Sequence, residues 1–282
     1  MNKKQVIGIM AVSLASVAVV SGCTTDSNGT NVKKFTEKEQ KEYMKKFSDK
    51  VVNAKNVNEI IEELDKNIDK VSKNEASTMV DGLLFVMHKN YTDMNNKIYG
   101  LQAELAELDK KGIDYNKTSD ILKVEDAMTK AFLQEAIAQK YNIQKIGSEY
   151  YVKPNIKWVL DKYGKYMNED LKAITEFTLE ETTKAFYNAD TQSFDLDTVV
   201  SRILKIEENM KKFPDSFYLE SMKNSKEYYY QIYFGVNNQF LVDNNKKVKD
   251  SVLKHYQKTV EKYPNTQIGK DTKAVLEKLK TT

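Results

Sequence analysis

The stretch VDGLLFVMHKNYTDMNNKIYGLQAELAEL, residues 80–108, decides the fold class. Within it Val80, Leu84, Met87, Tyr91, Met94, Ile98, Leu101, Leu105 and Leu108 recur at alternating steps of four and three. A strand would alternate every second residue. This spacing instead keeps one stripe of a helix apolar through four heptads, the pattern of a coiled-coil seam. A helix from about Ala76 to Lys110 would be roughly 50 Å long and needs a partner of similar length to cover its stripe. Downstream, Gly112 suits a left-handed C-terminal cap and Asp114 to Ser119 form a polar turn. Ile121, Val124, Met128, Phe132, Glu135/Ala136 and Gln139 then carry a weaker second stripe, so the expectation is a long antiparallel helical hairpin.

Composition agrees with helices. The chain is 30% charged and 40% hydrophobic, with ten Gly and three Pro in 282 residues, too few turn-formers for a β-sandwich. Upstream of the seam, Thr36-Glu37-Lys38-Glu39 reads as a capping box opening a helix with Tyr43, Phe47 and Val51 inside. Asn56 followed by Glu59 opens a second, with Val57, Ile60, Ile61, Leu64, Ile68 and Val71 on one face. Beyond the hairpin, Glu149-Tyr150-Tyr151-Val152 before Pro154 predicts a short extended piece. Asn168-Glu169-Asp170 opens a further helix.

The last third carries an internal repeat. At an offset of fifty, Ser201 to Tyr229 aligns with Ser251 to Leu279, and Phe213-Pro214-Asp215-Ser216 falls on Tyr263-Pro264-Asn265-Thr266. In each copy an aromatic plugs the end of a helix, proline stops it, and Ser216 or Thr266 is placed to cap the next. This ending resembles the tetratricopeptide-like repeats of bacterial envelope lipoproteins. The resemblance implies a stack of helix pairs whose concave face binds peptides or partner proteins and performs no catalysis.

At the N-terminus, Lys3 and Lys4 precede an apolar run from Val6 to Val20, and Val20-Ser21-Gly22-Cys23 closes it. This segment resembles the lipobox of bacterial lipoproteins, which implies a signal peptide cleaved before Cys23 and a diacylglycerol on the Cys23 thiol. The apolar run is too short to span a bilayer. Two acyl chains give stable membrane attachment, so the mature chain is expected on the extracytoplasmic face of a cell membrane. The expected organisation is a signal peptide over 1–22, a flexible tether over 23–34, a helical region with the long hairpin over 35–165, and a repeat-like helical region over 166–282. The fold class is all-α. Cys23 is the sole cysteine, so no disulfide is expected.

Function classes narrow by exclusion. Without Lys3 and Lys4 the chain has 42 basic against 41 acidic residues, and nucleic acid is an unexpected partner. Only Arg202 is an arginine, against the usual choice for gripping phosphate or carboxylate. His88 and His255 sit in no metal-binding spacing, and Asp243 fails as a calcium loop because its sixth and twelfth positions are Val248 and Lys254. Asp190, Asp195 and Asp197 read better with Asp195 or Asp197 as a helix cap than as a cation site. Glu62-Glu63, Glu180-Glu181 and Glu207-Glu208 read as solvated helix-surface charge, and no nucleophile motif occurs. No cofactor, no metal and no enzymatic activity are expected.

One cluster stays open for binding. Tyr228, Tyr229, Tyr230, Tyr233 and Phe234 place aromatics all around one helix, more than a single buried face needs, so some are expected to contact a protein or peptide partner. Tyr150, Tyr151 and Trp158 form a second, weaker group. The alternative function, an extracytoplasmic solute- or glycan-binding lipoprotein, would need alternating strands and helices in two lobes, and period-2 patterning is nearly absent.

Overall fold

The computed structural model describes residues 32–188, 191–235, 241–243 and 247–280. The lipobox, Cys23 and most of the tether lie outside them. The described residues are mostly α-helical, with two small antiparallel hairpins of strands. The chain divides into two compact units at Lys172/Ala173.

The unit that ends at Lys172 begins with α1 (Glu37–Asn53), opened by the expected capping box: Glu39 N donates to Thr36 Oγ1 while the Glu39 carboxylate accepts from Thr36 N. A loop capped by Asn56 leads to α2 (Asn58–Asn67), whose Ile60, Ile61 and Leu64 are buried. A 3-10 turn over Ile68–Lys70 precedes α3 (Lys73–Tyr99). Gly82 in α3 lies where an added Cβ would meet Phe47 and Val51 at 3.0 Å, so α1 rests closely on α3 there.

The long helix is shorter than its seam. Val80, Met87, Met94, Ile98, Leu101, Leu105 and Leu108 are buried as the heptads require, but α3 ends at Tyr99 and α4 (Gln102–Lys110) restarts after Gly100 and Leu101. Glycine weakens the helix where the stripe runs on unbroken, so the break is invisible to hydrophobic periodicity. No long helix covers α3 among the described residues. Its stripe is shared among α1, α2, a strand and α6, and each short element covers what one long arm was expected to cover. The expected second arm contracts to α5 (Thr118–Ile121) and α6 (Ala127–Ala138), with Gly112 capping in the left-handed region at φ +68. Met128, assigned to the second stripe, is 70% exposed.

Strands β1 (Tyr141–Ile146) and β2 (Glu149–Pro154) pair antiparallel around Gly147-Ser148, with Ile143 opposite Val152. Side-chain amides take up outward backbone groups on both edges of this hairpin. Asn95 Nδ2 donates to Val152 O at 3.2 Å and Asn95 Oδ1 accepts from Val152 N at 3.0 Å. Gln102 does the same for Tyr150, at 2.9 and 2.8 Å. On the other edge Asn116 pairs with the N–H and C=O of Ile143, at 2.6 and 2.9 Å. Each amide thus supplies one donor and one acceptor where a neighbouring strand would. Helix α7 (Ile156–Tyr163) follows, opened by Asn155 accepting from Trp158 N.

Helix α8 (Glu169–Thr183) leads into the second unit. There β3 (Tyr187–Asn188) and β4 (Ser193–Phe194) make a minimal hairpin, and Asp195 caps α9 (Leu196–Lys212) by accepting from Thr198 N. Then come α10 (Leu219–Phe234), α11 (Asp250–Lys262) and α12 (Gln267–Lys280). The turns after α9 and α11 share one geometry. Phe213 N bonds Asn209 O and Tyr263 N bonds Thr259 O, both at 2.9 Å, and Ser216 N and Thr266 N reach back to the aromatic carbonyl at 3.2 Å. Buried positions also recur fifty residues apart: Arg202 and Val252, Ile206 and Tyr256, Asn209 and Thr259. Thr266 accepts from Gly269 N as a cap should, whereas Ser216 accepts from Tyr218 N and α10 starts without a side-chain cap.

Candidate functional site

The aromatic cluster on α10 separates into inner and outer members. Tyr229 and Tyr233 are buried, Tyr230 and Phe234 are half-buried, and Tyr228 is 42% exposed. A residue inside the core has no surface to offer a partner, so Tyr229 and Tyr233 serve packing, and the surface part of the cluster centres on Tyr228. Tyr230 is held by its hydroxyl, which donates within reach of Glu207 and Asp271, at 3.1 and 3.0 Å.

Tyr228 belongs to an aromatic edge that spans elements far apart in sequence. Phe186 lies edge-on to both Tyr228 and Tyr229 and stacks with Phe194, whose ring also contacts Tyr187. Tyr187 is 38% exposed. The β3–β4 hairpin joins Tyr187 and Phe194 to Phe186, which meets α10, and a window along the chain cannot reveal that assembly.

Beneath this edge lies Arg202, the only arginine and 1% exposed. Its guanidinium sits 5.0 Å from the Phe186 ring centre and 5.4 Å from that of Tyr229. It donates to Tyr229 Oη at 2.9 Å and to the carbonyl of Lys184 just past α8, where unpaired helix-end carbonyls present negative charge. Tyr229 Oη in turn donates to Glu181 Oε1. Burial pushes the Glu181 carboxyl above its ordinary range despite the opposing Tyr229 hydrogen bond and Arg202 charge. The expectation that Glu180-Glu181 is a solvated pair therefore fails for Glu181, because α9 and α10 desolvate it. Glu180 does keep an outer position, paired with Lys205 at 3.0 Å.

A second polar group lies at the first turn of α9. His255 Nδ1 is 3.2 Å from Tyr233 Oη, which bonds Thr259 Oγ1 at 2.9 Å, while His255 Nε2 lies 3.4 Å from Asp197 Oδ1 without hydrogen-bond geometry. Burial lowers the His255 pKa. Asp195 is the cap, as expected of one of the three aspartates; Asp190 lies outside the described residues. His88 is exposed, and Asp243 holds a local turn by accepting from Lys247 N. In the weaker group Tyr150 is buried, and the ammonium groups of Lys140 and Lys162 lie 5.4 and 5.3 Å from the Trp158 ring centre.

Chemically, the aromatic edge offers flat apolar area with hydroxyls at its rim, backed by a rigid buried charge network. Among the described residues no group of three or more His, Cys, Asp or Glu side chains is placed to hold a metal ion. No described helix is long and apolar enough to cross a membrane. No protein-family model, curated protein or solved structure matches the chain.

Proposed function

We propose that this protein is a lipid-anchored component of the cell envelope, held at the extracytoplasmic face through Cys23, and that its C-terminal helical unit is a repeat-like module that binds a protein or peptide. The observation that carries the reading is the pairing of α9–α10 with α11–α12. Two helix pairs fifty residues apart share an aromatic-proline stop, the same turn hydrogen bonds and equivalent buried positions. Helix-pair units of this kind stack to cover one another and leave an extended face for partners. The surface aromatics Tyr187 and Tyr228 supply rigid amphipathic area of the sort that anchors interfaces. The anchoring half rests on the run ending in Ser21-Gly22-Cys23.

Two measurements test the two halves separately. Growth with an alkyne-tagged fatty acid should label the wild-type chain in the membrane fraction, and Cys23→Ser should remove the label and release the protein; an unlabelled wild type refutes the anchor. Crosslinking at Tyr228, through a photoreactive amino acid installed there in cells, should trap a defined protein partner, and Tyr187→Ala should reduce the yield. Trapping of no protein, or a yield indifferent to Tyr187→Ala, refutes the aromatic edge as the contact surface.

A further inference from the structure

The near-neutral charge of the chain is a cancellation. Residues 24–245 carry 32 basic against 37 acidic residues, whereas residues 246–282 carry ten lysines against four acidic residues. The internal repeat shows where the excess sits. At an offset of fifty, Lys254, Lys258, Lys270 and Lys278 stand where the first copy has Leu204, Glu208, Glu220 and Tyr228. In the first copy Lys223 pairs with Glu220 at 3.3 Å; in the second the same two positions hold Lys273 and Lys270. Both copies keep the aromatic-proline turn and its hydrogen bonds, so the helix pair folds with either set of charges. Lys254, Lys258 and Lys262 follow at every fourth residue of α11, Lys270, Lys273 and Lys278 lie on α12, and all of them are exposed. Lys258 meets Asp197 at 3.3 Å, an exposed pair of small worth. Asp271 is taken by Tyr230 and Gln267, and the exposed Asp250, Glu261 and Glu277 are too few to balance the lysines.

The side chains around these lysines select the kind of anion. Every fixed cation on the two helices is an ammonium, a point charge without the planar fork that grips a single phosphate. Among the described residues neither helix exposes a tyrosine, phenylalanine or tryptophan on which a nucleic-acid base could stack. What α12 does expose is aliphatic. Val275 and Leu276 are only half-buried and Leu279 is 37% exposed, at the end of a stripe that begins with the fully buried Ile268 and Thr272. At about 100° per residue, Lys273 and Lys278 flank the end of that stripe on opposite sides. Lysine stems can lie along such aliphatic side chains while their ammonium groups reach outward, the pattern of a helix that rests on a bilayer interface. A dissolved polyanion would leave the aliphatic groups uncovered.

We propose that the α11–α12 pair docks on a bilayer surface rich in anionic headgroups, through Lys273, Lys278, Leu276 and Leu279, with the other lysines of the pair adding long-range attraction. The contact is separate from Cys23 and from the aromatic edge. It is reversible and weakens with salt, so it orients a chain at a membrane without replacing an acyl anchor. Vesicle flotation tests it on the chain from residue 23 onward carrying Cys23→Ser, which has neither an acyl chain nor the apolar N-terminal run. The protein should float with vesicles of mixed phosphatidylglycerol and phosphatidylcholine and stay behind with phosphatidylcholine alone. Raising salt from about 0.05 to 0.5 M should lower binding about tenfold or more. Lys273→Glu with Lys278→Glu, and separately Lys254→Glu with Lys262→Glu, should each weaken binding about tenfold or more, and Leu279→Ser about threefold. Lys110→Glu with Lys111→Glu on α4 makes the same change in net charge and should bind as the wild type does. Far-UV circular dichroism selects the variants whose helices are intact. No flotation with either vesicle, equal flotation with both, or equal loss from the α4 control overturns the proposal. So does binding retained by both the α11 and the α12 variants, or capture by dissolved polyphosphate without flotation.

Discussion

Replacing Arg202 by methionine should cost the C-terminal unit about 3–5 kcal/mol at neutral pH, since a buried guanidinium and the hydrogen bonds it donates are lost together. The figure follows from what the guanidinium touches. Two charge-assisted hydrogen bonds disappear, to Tyr229 Oη and to the Lys184 carbonyl, each worth about 1.5–3 kcal/mol. Contacts over the Phe186 and Tyr229 rings go as well, at about 0.5–2 kcal/mol. The methionine chain fills most of the vacated volume and returns part of this through apolar burial. Glu181, bonded to Tyr229, then loses the nearby positive charge that favours its ionised form. Urea melts followed by far-UV ellipticity should lose about 2 M in midpoint, taking a slope near 2 kcal/mol per molar. Trp158, the one tryptophan, lies in the other unit, so its fluorescence midpoint should move less. The pH dependence has a definite sign. The folded-state pKa of Glu181 is already raised, and without Arg202 it rises further, so the ionised carboxylate becomes the costly species. The deficit should be largest at pH 7 and shrink as pH falls through that raised pKa, where the folded state takes up the proton. Glu181→Gln in the Arg202→Met background should recover a large part of the loss at pH 7. A midpoint shift under about 0.5 M, or no recovery by Glu181→Gln, would refute the account of this network.

Three further outcomes are expected. Asn116→Ala strips both hydrogen bonds from Ile143 and should cost about 1–3 kcal/mol by thermal melt, with Asn116→Asp nearly as costly because a carboxylate cannot donate to the Ile143 carbonyl. Gly269→Ala places a Cβ 1.9 Å from the Tyr263 carbonyl oxygen, so the α11–α12 turn must shift; a cost of about 1–3 kcal/mol is expected, and an unchanged melting temperature would contradict the turn geometry. Burial lowers the pKa of His255, which faces Asp197, Lys258 and Tyr233, so the fold favours its neutral form; stability should fall as pH drops below about 6.5, and His255→Gln should flatten that limb of a pH–stability profile measured by urea melts.

Much of the helical architecture was legible because short-range rules governed it. The caps at Thr36, Asn56 and Asp195, the buried faces of α1 and α2, and the two aromatic-proline stops each depend on residues within one or two turns. The hairpin of β1 and β2 was half visible. Glu149 to Val152 reads as extended, but its partner, in which Tyr141 and Ile143 are buried while Asn142 and Gln144 are exposed, hides behind helical α6 and offers only two alternations. The expected hairpin arm failed because a heptad stripe specifies that a face is covered, not by how many elements. The aromatic edge was the least legible. Tyr228 stood out by crowding, yet Phe186, Phe194, Arg202 and Glu181 join it only through the β3–β4 turn and the close packing of α9 on α10. A lone arginine in a lysine-rich chain was a signal that pointed inward, to a helix-end cap, where composition had suggested only a missing phosphate grip.

The three amides on the edges of β1 and β2 bear on how this chain meets other copies of itself. A two-stranded sheet exposes backbone donors and acceptors that a stray strand from a neighbouring molecule could extend, the first step of ordered aggregation. Asn95, Gln102 and Asn116 take up those groups within the same chain. With the outward groups of Tyr150, Val152 and Ile143 taken, the hairpin offers a neighbouring molecule less open edge to extend.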